Sequence, residues 1–167
     1  MLMKVSIRKA TPEDYHALCE LFDEVDALHR DNLPHIFRKP DGPVREWGYY
    51  IGLLEDETVG LFVAEAENKL IAYIIAVVSD VPAIPLYVPR RCVIVDNLGV
   101  KSEFRGHGAG RLLMDTVHEW AVAKGATDSE LSVYEFNKIA IAFYEKLGYK
   151  TLKRRLHKPL NNDTPSA

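Results

Sequence analysis

The segment from Val95 to Met114, VDNLGVKSEFRGHGAGRLLM, is the most informative part of the sequence about the fold. It joins an apolar strand, predicted over 92–100, to an amphipathic helix predicted over 108–124. Only a short polar turn separates the two elements. Ligands of helix-covered sheets bind where a strand ends and a helix begins. The stretch therefore predicts a binding site as well as two elements of structure.

Three alternate glycines, Gly106, Gly108 and Gly110, stand at the start of this predicted helix. Alternate glycines let a backbone turn tightly and approach a ligand without side chains in between. The first amides of a helix have no acceptor within the helix and point outward. We therefore predict an anion cradle for phosphate oxygens, with Arg105 and Arg111 at its rim.

Two common nucleotide motifs do not fit these glycines. A Walker loop requires Gly-Lys-Ser or Gly-Lys-Thr after four intervening residues, which this chain lacks. A Rossmann fingerprint requires a glycine or alanine where this chain has Arg111, and it follows the first strand of the fold. Taken alone, the glycines would more often mark a merely tight strand-to-helix turn.

The rest of the chain alternates strands with helices, punctuated by Pro and Gly. A first helix begins at Thr11 with a capping pattern and carries an apolar stripe through Leu28. The other predicted elements are strand 4–8, helix 44–54, strands 59–65 and 70–78 joined by a hairpin turn at 66–69, strand 130–134, helix 137–147 and a closing strand 149–156. Such interleaving predicts an α/β chain with a mixed sheet covered by helices.

Composition and charge narrow the function classes. With 167 residues and a net charge of -3, the chain is expected to form a single domain over 1–160 with a polar tail at 161–167. The charge does not favour nucleic-acid binding, and no apolar stretch is long enough to span a membrane. Cys19 and Cys92 fit buried thiols in a reducing compartment, and the N-terminus lacks a signal-peptide core. We therefore expect a cytoplasmic protein.

Two segments resemble the signatures of one family. Arg105-x-x-Gly108-x-Gly110, after a strand ending at Val100, resembles the coenzyme A pyrophosphate loop of the GNAT (Gcn5-related) N-acetyltransferases. The segment NKIAIAFYEKLGY at 137–149 is similar to the family's second signature. The resemblance covers roughly 3–157. It implies the GNAT acyl-CoA N-acyltransferase fold, a central twisted, mostly antiparallel sheet splayed between strands four and five and flanked by about four helices.

The resemblance also implies acetyl-CoA as co-substrate and assigns residues to it. The amide of Leu98, at the splayed strand edge, would stabilise the oxyanion. Tyr144 would protonate the departing sulfur, although aromatic residues at this spacing usually pack a helix face. The implied cofactor-binding residues are Leu98, Gly99, Val100, Arg105, Gly106, His107, Gly108, Ala109, Gly110, Arg111, Asn137 and Tyr144.

The general base is where the chain departs from the family pattern. Some members carry a glutamate where this chain has Ser132, which is a poor base. Asp96 is the best replacement, acting directly or through water, and its alternative is a carboxylate that only anchors its surroundings. Glu135 is a weaker candidate. The histidines show no metal-ligand spacing, and no metal is expected.

The acceptor implied by the resemblance is a primary amine of a small molecule, a peptide N-terminus or a lysine. Its selectivity should lie in two variable walls, 29–45 and 80–91, with the candidate residues His35, Phe37, Arg38, Tyr87, Arg90 and Arg91 and the acids Asp31, Asp41 and Asp80. The alternative is a non-catalytic acetyl-CoA-binding sensor of the same fold. Transfer of a longer acyl group and homodimer formation, which is common in the family, stay open.

Overall fold

The computed structural model describes residues 4–160, and the chain divides into two compact units, Met1–Ser132 and Val133–Ala167. The first unit contains β1 (Ser6–Lys9), α1 (Tyr15–Asn32), α2 (Trp47–Glu55), β2 (Val59–Ala66), β3 (Lys69–Asp80), β4 (Arg91–Val100), α3 (Ala109–Ala123) and β5 (Asp128–Leu131). The second contains α4 (Lys138–Lys146). The predicted α/β class, with a mixed sheet and four helices, is confirmed. The single domain over 1–160 stays a prediction, and the tail 161–167 lies outside the described residues.

The sheet has five strands in the order β1-β2-β3-β4-β5. Strands β1 to β4 form an antiparallel meander, and β5 returns through α3 to pair with β4 in parallel. That parallel pairing covers only Cys92–Val95, whereas β4 continues to Val100. β5 is paired along its whole length and ends at Leu131, so within the described residues that side of β4 has no strand partner beyond Val95, where the splay is predicted.

A β-bulge lies where the pairing of β4 with β5 ends. Ile75 lies opposite Asn97 and Ala76 lies opposite Val95, so Asp96 is the additional residue on β4. A bulge bends its strand and increases the local twist. The bend and the loss of pairing with β5 therefore occur at the same place in β4.

One face of the sheet packs against α1 and α2. Phe22 of α1 meets Tyr73 of β3 edge to face, with ring centroids 4.7 Å apart. The buried residues of this cluster are Leu18, Leu21, Phe22, Tyr50, Leu61, Val63, Leu70, Tyr73 and Ile75. Several of them continue the apolar stripe that the sequence places on the first helix.

The other face is covered by α3. Its buried residues, Leu113, Met114 and Val117, recur at helical spacing toward the sheet. Trp120 packs on Phe62 of β2 with ring centroids 6.1 Å apart. The helix that begins at the glycine turn is therefore fixed on the sheet by its own apolar side.

The entry to α1 is fixed by a buried acid. Asp14 accepts a hydrogen bond from the Thr11 amide at 2.8 Å and two from the Arg8 guanidinium at 2.7 and 2.8 Å. The Thr11 hydroxyl donates to the same carboxylate. The predicted capping pattern is therefore present, and Thr11 and Asp14 form a reciprocal capping box.

Some predicted boundaries are wrong. Residues 149–159 are assigned to neither helix nor strand, against the predicted closing strand. Five Lys and Arg residues and no acid fall between 149 and 160, and such side chains form strands weakly. β5 begins two residues earlier than expected and ends at Leu131, and Cys19 is half-buried rather than buried. The hairpin turn is confirmed, with Glu67 and Asn68 at φ 52° and 59°.

Candidate functional site

The free edge of β4 presents two backbone amides. The Lys101 amide donates to the Ile71 carbonyl on β3 at 2.9 Å. Because alternate residues of an antiparallel strand bond to the same neighbour, the amides of Leu98 and Val100 face away from β3. Within residues 4–160, no strand pairs with that side of β4 beyond Val95. Both amides therefore lie where the predicted thioester arm would need donors.

Gly99, between them, has a packing role. A Cβ there would lie 2.5 Å from Cε1 of Tyr73 and 2.7 Å from Cγ2 of Val25. Real Cβ atoms do not approach other atoms this closely. The absence of a side chain at Gly99 lets α1 lie directly on β4. Its predicted contribution to cofactor binding is therefore indirect, through the position of the β4 edge.

The glycine turn has an open, outward conformation. Gly106 and Gly108 have φ of 79° and 89°, in the left-handed region that favours glycine, and both are exposed. A Cβ at either position would meet nothing within 4 Å. The first bond of α3 runs from the Leu112 amide to the Gly108 carbonyl at 3.1 Å, which leaves the amides of 109–111 without an intrahelical acceptor. This arrangement fits a diphosphate.

Two other residues of the turn differ in their side chains. Ala109 is buried, so a role in binding falls to its backbone alone. His107 is exposed, and its Nδ1 lies 2.9 Å from the Arg105 carbonyl. A carbonyl can only accept, so Nδ1 carries the proton in this contact. The imidazole is folded onto its own loop.

The two predicted rim arginines behave differently. Arg105 Nε donates to the Val100 carbonyl at 3.1 Å, and its guanidinium lies 3.5 Å from a carboxylate oxygen of Glu24 on α1. Arg111 is exposed and lies 3.9 Å from Asp115, one turn along α3. Arg105 thus joins the glycine turn to the strand edge. Glu24 was missed from sequence because no local pattern links it to a loop about eighty residues away.

Asp96 is exposed at the bulge of β4. It stands two residues before Leu98, at the start of the free edge. The bulge takes Asp96 out of the regular alternation of the strand, which is how bulges re-aim side chains beside active sites. Its role as a base stays a prediction.

The second unit carries the remaining site residues, Asn137 and Tyr144. Asn137 is the N-cap of α4, and its Oδ1 accepts from the Ala140 amide at 3.1 Å. With that oxygen engaged, a contact to a cofactor would come from the side-chain NH₂ or the backbone.

Tyr144 lies in the last turn of α4, which ends in a Schellman motif at Gly148 (φ 91°). The Tyr149 amide donates to the Tyr144 carbonyl at 3.1 Å, and the two rings pack 5.8 Å apart. Burial, with a smaller contribution from Tyr149, raises the pKa of Tyr144 to about 12. A phenol keeps its proton at neutral pH even at its ordinary pKa near ~10, and the raised pKa extends the protonated range to higher pH. Sequence reasoning missed Tyr149 as the residue that fixes this ring.

The other two residues considered for the general base are Ser132, the last residue of the first unit, and Glu135 of the second unit. Ser132 is exposed directly after β5. Glu135 is exposed and pairs with Lys138 at 3.2 Å. Because that ion pair draws the carboxylate toward the first turn of α4, Glu135 stays the weaker candidate.

The first predicted wall, 29–45, is partly helical because α1 continues through Asn32. At its other end, Arg45 lies 4.3 Å over the Phe22 ring and pairs with Asp26 at 3.1 Å. Arg45 therefore fixes the loop on α1. A cavity of ≈ 210 Å³ opens beside it, lined in part by Cys19, Lys39 and Pro43.

The second predicted wall, 80–91, is anchored by ion pairs. Arg90 donates to Glu130 of β5 at 2.8 Å, and Arg91 donates to Asp80 at 2.8 Å across the β3–β4 ends. These pairs explain Arg90, Arg91 and Asp80 as residues that fix strand ends. Their predicted role in acceptor selection is untested.

Comparison with known proteins identifies the family. The model of the acetyltransferase (GNAT) family matches residues 20–149, which include the bulge, the glycine turn and α4. The chain belongs to the GNAT acetyltransferase family. The first and second signatures of the sequence both fall within the matched GNAT region.

The curated relatives of this GNAT chain match different shares of its length. An uncharacterised N-acetyltransferase of Methanocaldococcus jannaschii is 27% identical over 90% of this chain and 62% of its own length. The thialysine N-epsilon-acetyltransferase of Sus scrofa is 36% identical over 37% of this chain and 36% of its own length. The chain thus spans less than two thirds of these curated relatives.

Solved structures extend the likeness to nearly the whole chain. A tetramutant of the BH1408 protein of Bacillus halodurans has a TM-score of 0.88 and 29% identity, covering 93% of this chain and 99% of that one. The aminoglycoside N-acetyltransferase AAC(6')-Iy in complex with CoA has a TM-score of 0.71 and 16% identity, covering 94% and 95%. At 16% identity the likeness shows the fold alone. None of the helices within residues 4–160 is long and apolar enough to cross a bilayer.

Proposed function

We propose that this chain transfers the acetyl group of acetyl-CoA directly to a primary amine. The observation that carries the proposal is the open left-handed turn at Gly106 and Gly108, whose outward amides adjoin the free edge of β4. A turn of this kind suits a diphosphate. An unpaired strand edge beside it suits an extended arm that needs amide donors.

The residues would hold the co-substrate at two places. The amides of 106–111 would bind the diphosphate, and the amides of Leu98 and Val100 would bind the pantetheine arm and the thioester carbonyl. Asn137 would contact the arm from the cap of α4. Acetyl-CoA, when bound, supplies an acetyl group activated as a thioester.

Transfer forms a C–N bond to the amine and breaks the C–S bond of the thioester. The Leu98 amide would stabilise the negative charge that develops on the carbonyl oxygen. Loss of one such donor typically costs about 3 kcal/mol of transition-state stabilisation. The strand edge is rigid because α1 packs on it through Gly99, which keeps this donor in place.

Two protons must move during the reaction. A free lysine amine titrates near ~10.4, so its neutral form at pH 7 costs about 4.6 kcal/mol. We assign the removal of that proton to Asp96, directly or through a water molecule, with Glu135 as the weaker candidate. Tyr144 would give its proton to the departing sulfur.

The acceptor class is a small-molecule amine, a peptide N-terminus or a lysine. Solved neighbours act on aminoglycosides by name, and one relative is named for thialysine. In the two walls, 29–45 and 80–91, six Lys and Arg residues outnumber the three acids Asp31, Asp41 and Asp80, and Asp80 is paired with Arg91. That charge balance favours an acceptor with one amine over a polycation. We place the reaction in the cytoplasm.

The test is release of coenzyme A thiol from acetyl-CoA during incubation with a panel of amines, peptides and lysine-bearing substrates. Amine-dependent thiol release, together with a mass increase of one acetyl group on the amine, supports transfer. Binding of acetyl-CoA with no turnover on any amine would contradict it and favour the non-catalytic sensor. Parallel assays with longer acyl thioesters measure the acyl-chain preference.

A further inference from the structure

One carboxylate on α1 contacts the connection between β4 and the glycine turn. Oε1 of Glu24 accepts a hydrogen bond from the Ser102 amide at 2.8 Å. The same oxygen lies 3.5 Å from a guanidinium nitrogen of Arg105. Glu24 is therefore bonded to the connection between β4 and the glycines at two points, three residues apart.

Arg105 extends this contact to the strand. Its Nε donates to the Val100 carbonyl at 3.1 Å, on the free side of β4. Glu24, Arg105 and Val100 thus form a chain of polar contacts from α1 through the turn to the strand edge. No local sequence pattern links these three positions.

We propose that Glu24 is a positioning residue that fixes the distance between the diphosphate turn and the thioester edge. The proposal rests on the proposed function and deepens it. The diphosphate and the thioester belong to one molecule, so the two sets of amides that bind them must keep a fixed separation. Small displacements of a bound reactant cost large factors in rate.

A role for Glu24 only in the global stability of the fold agrees less well with the exposure of its ion pair with Arg105. The side chains of Arg105 and Glu24 are 49% and 35% exposed, and exposed ion pairs contribute little to global stability. The bond to the Ser102 amide is charge-assisted and holds a connection that is otherwise exposed. Loss of Glu24 should therefore loosen the turn while the rest of the fold persists.

The experiment compares Glu24→Ala and Glu24→Gln with the matched control Glu20→Ala, one helical turn earlier on α1. We measure acetyl-CoA affinity by calorimetry and, without cofactor, the rate of tryptic cleavage after Arg105. Glu24→Ala should weaken acetyl-CoA binding by about threefold to tenfold and accelerate cleavage. Glu24→Gln should lie between Glu24→Ala and the parent, because its amide oxygen still accepts from Ser102. Glu20→Ala should match the parent in both assays.

A double-mutant cycle with Arg105→Ala separates positioning from a general loss of stability. If Glu24 acts through Arg105, the loss of acetyl-CoA affinity in the double variant should be smaller than the sum of the losses in the two single variants. The double variant should then bind hardly more weakly than either single variant. Fully additive losses would overturn the coupling. Thermal unfolding of each variant checks that the fold is retained.

Failure of this proposal is distinguishable from failure of the proposed function. If the parent binds acetyl-CoA and Glu24→Ala matches it in affinity and cleavage, Glu24 has no positioning role. If the parent does not bind acetyl-CoA, the proposed function falls. The cleavage rates then decide alone whether Glu24 holds the turn.

Discussion

Tyr144 is held by its neighbours in the form that the proposed chemistry requires. The Schellman turn at Gly148 places Tyr149 against its ring, and burial raises the pKa of the phenol. We expect Tyr144→Phe to lower the maximal rate by about 100-fold and to weaken acetyl-CoA binding much less, because only the hydroxyl with its transferable proton is removed. Initial rates and calorimetric titration measure the two quantities. Tyr49→Phe, an exposed tyrosine on α2, is the control. An unchanged maximal rate would remove the acid role.

The raised pKa of Tyr144 also affects stability. A phenol that titrates near ~10 when unfolded and at about 12 when folded stabilises the fold below pH ~10, and loses this contribution as pH rises toward 12. We expect the free energy of unfolding to fall over that interval, and to fall less steeply in Tyr144→Phe. Denaturant unfolding at a series of alkaline pH values measures both slopes. Burial also raises the pKa of Tyr50, so part of the fall should persist in the variant. Equal slopes in variant and parent would contradict the shift.

Single residues show where sequence reasoning stops. Tyr144 was identified because a signature surrounds it, whereas its partner Tyr149 was not assigned a role. Asp96 was proposed as a base without any sign of the bulge that displaces it, because a bulge depends on the register with β3. Glu24 was not found, since its contacts depend on how α1 crosses the sheet.

Among the elements, the glycine turn offers a matched pair of variants. Gly108→Ala and Gly108→Glu share the strain of a side chain at φ 89°, but only the glutamate adds negative charge where the diphosphate is proposed to bind. We expect both to lose about 1 kcal/mol of stability, and Gly108→Glu alone to lose acetyl-CoA affinity by more than about tenfold. Unfolding and calorimetric titration of both variants provide the comparison. Equal affinities in the pair would mean that the phosphates lie elsewhere.

The close contact of α1 with β4 at Gly99 leads to a second prediction, about stability. Gly99→Ala places a methyl group into the space of the Tyr73 ring and Val25, so we expect a loss of about 1–3 kcal/mol in the free energy of unfolding. Gly48→Ala, on α2, meets nothing within 4 Å and should not destabilise the protein. Urea unfolding measures both. A Gly99→Ala variant as stable as the parent would show that α1 and β4 can separate at little cost.

The sequence pattern predicts helices and strands well when turn residues or glycines mark their ends. The hairpin at 66–69 and the ends of α3 and α4 follow from local turn chemistry and from Gly125 and Gly148. The segment 149–156 was expected to be a strand from its position after α4. A strand needs a partner, and pattern alone does not supply one.

For the whole molecule, the two signatures and the element order were sufficient to predict the family and the fold class. They could not assign the acceptor. Three of the charged wall residues that suggested selectivity are engaged in ion pairs, Arg90 with Glu130 and Arg91 with Asp80. Such pairs form between segments distant in the chain, so composition cannot distinguish a wall that binds substrate from one that fixes a loop.

We propose that outward amides between 106 and 111 bind a diphosphate, so that its arm reaches the Leu98–Val100 edge. Calorimetric titration of the parent with CoA, dephospho-CoA and pantetheine tests it most directly, because dephospho-CoA keeps the diphosphate and pantetheine lacks it. We expect dephospho-CoA to retain most of the affinity of CoA and pantetheine to bind at least about 100-fold more weakly. Equal affinity for pantetheine and CoA, or no binding of CoA, would contradict the claim.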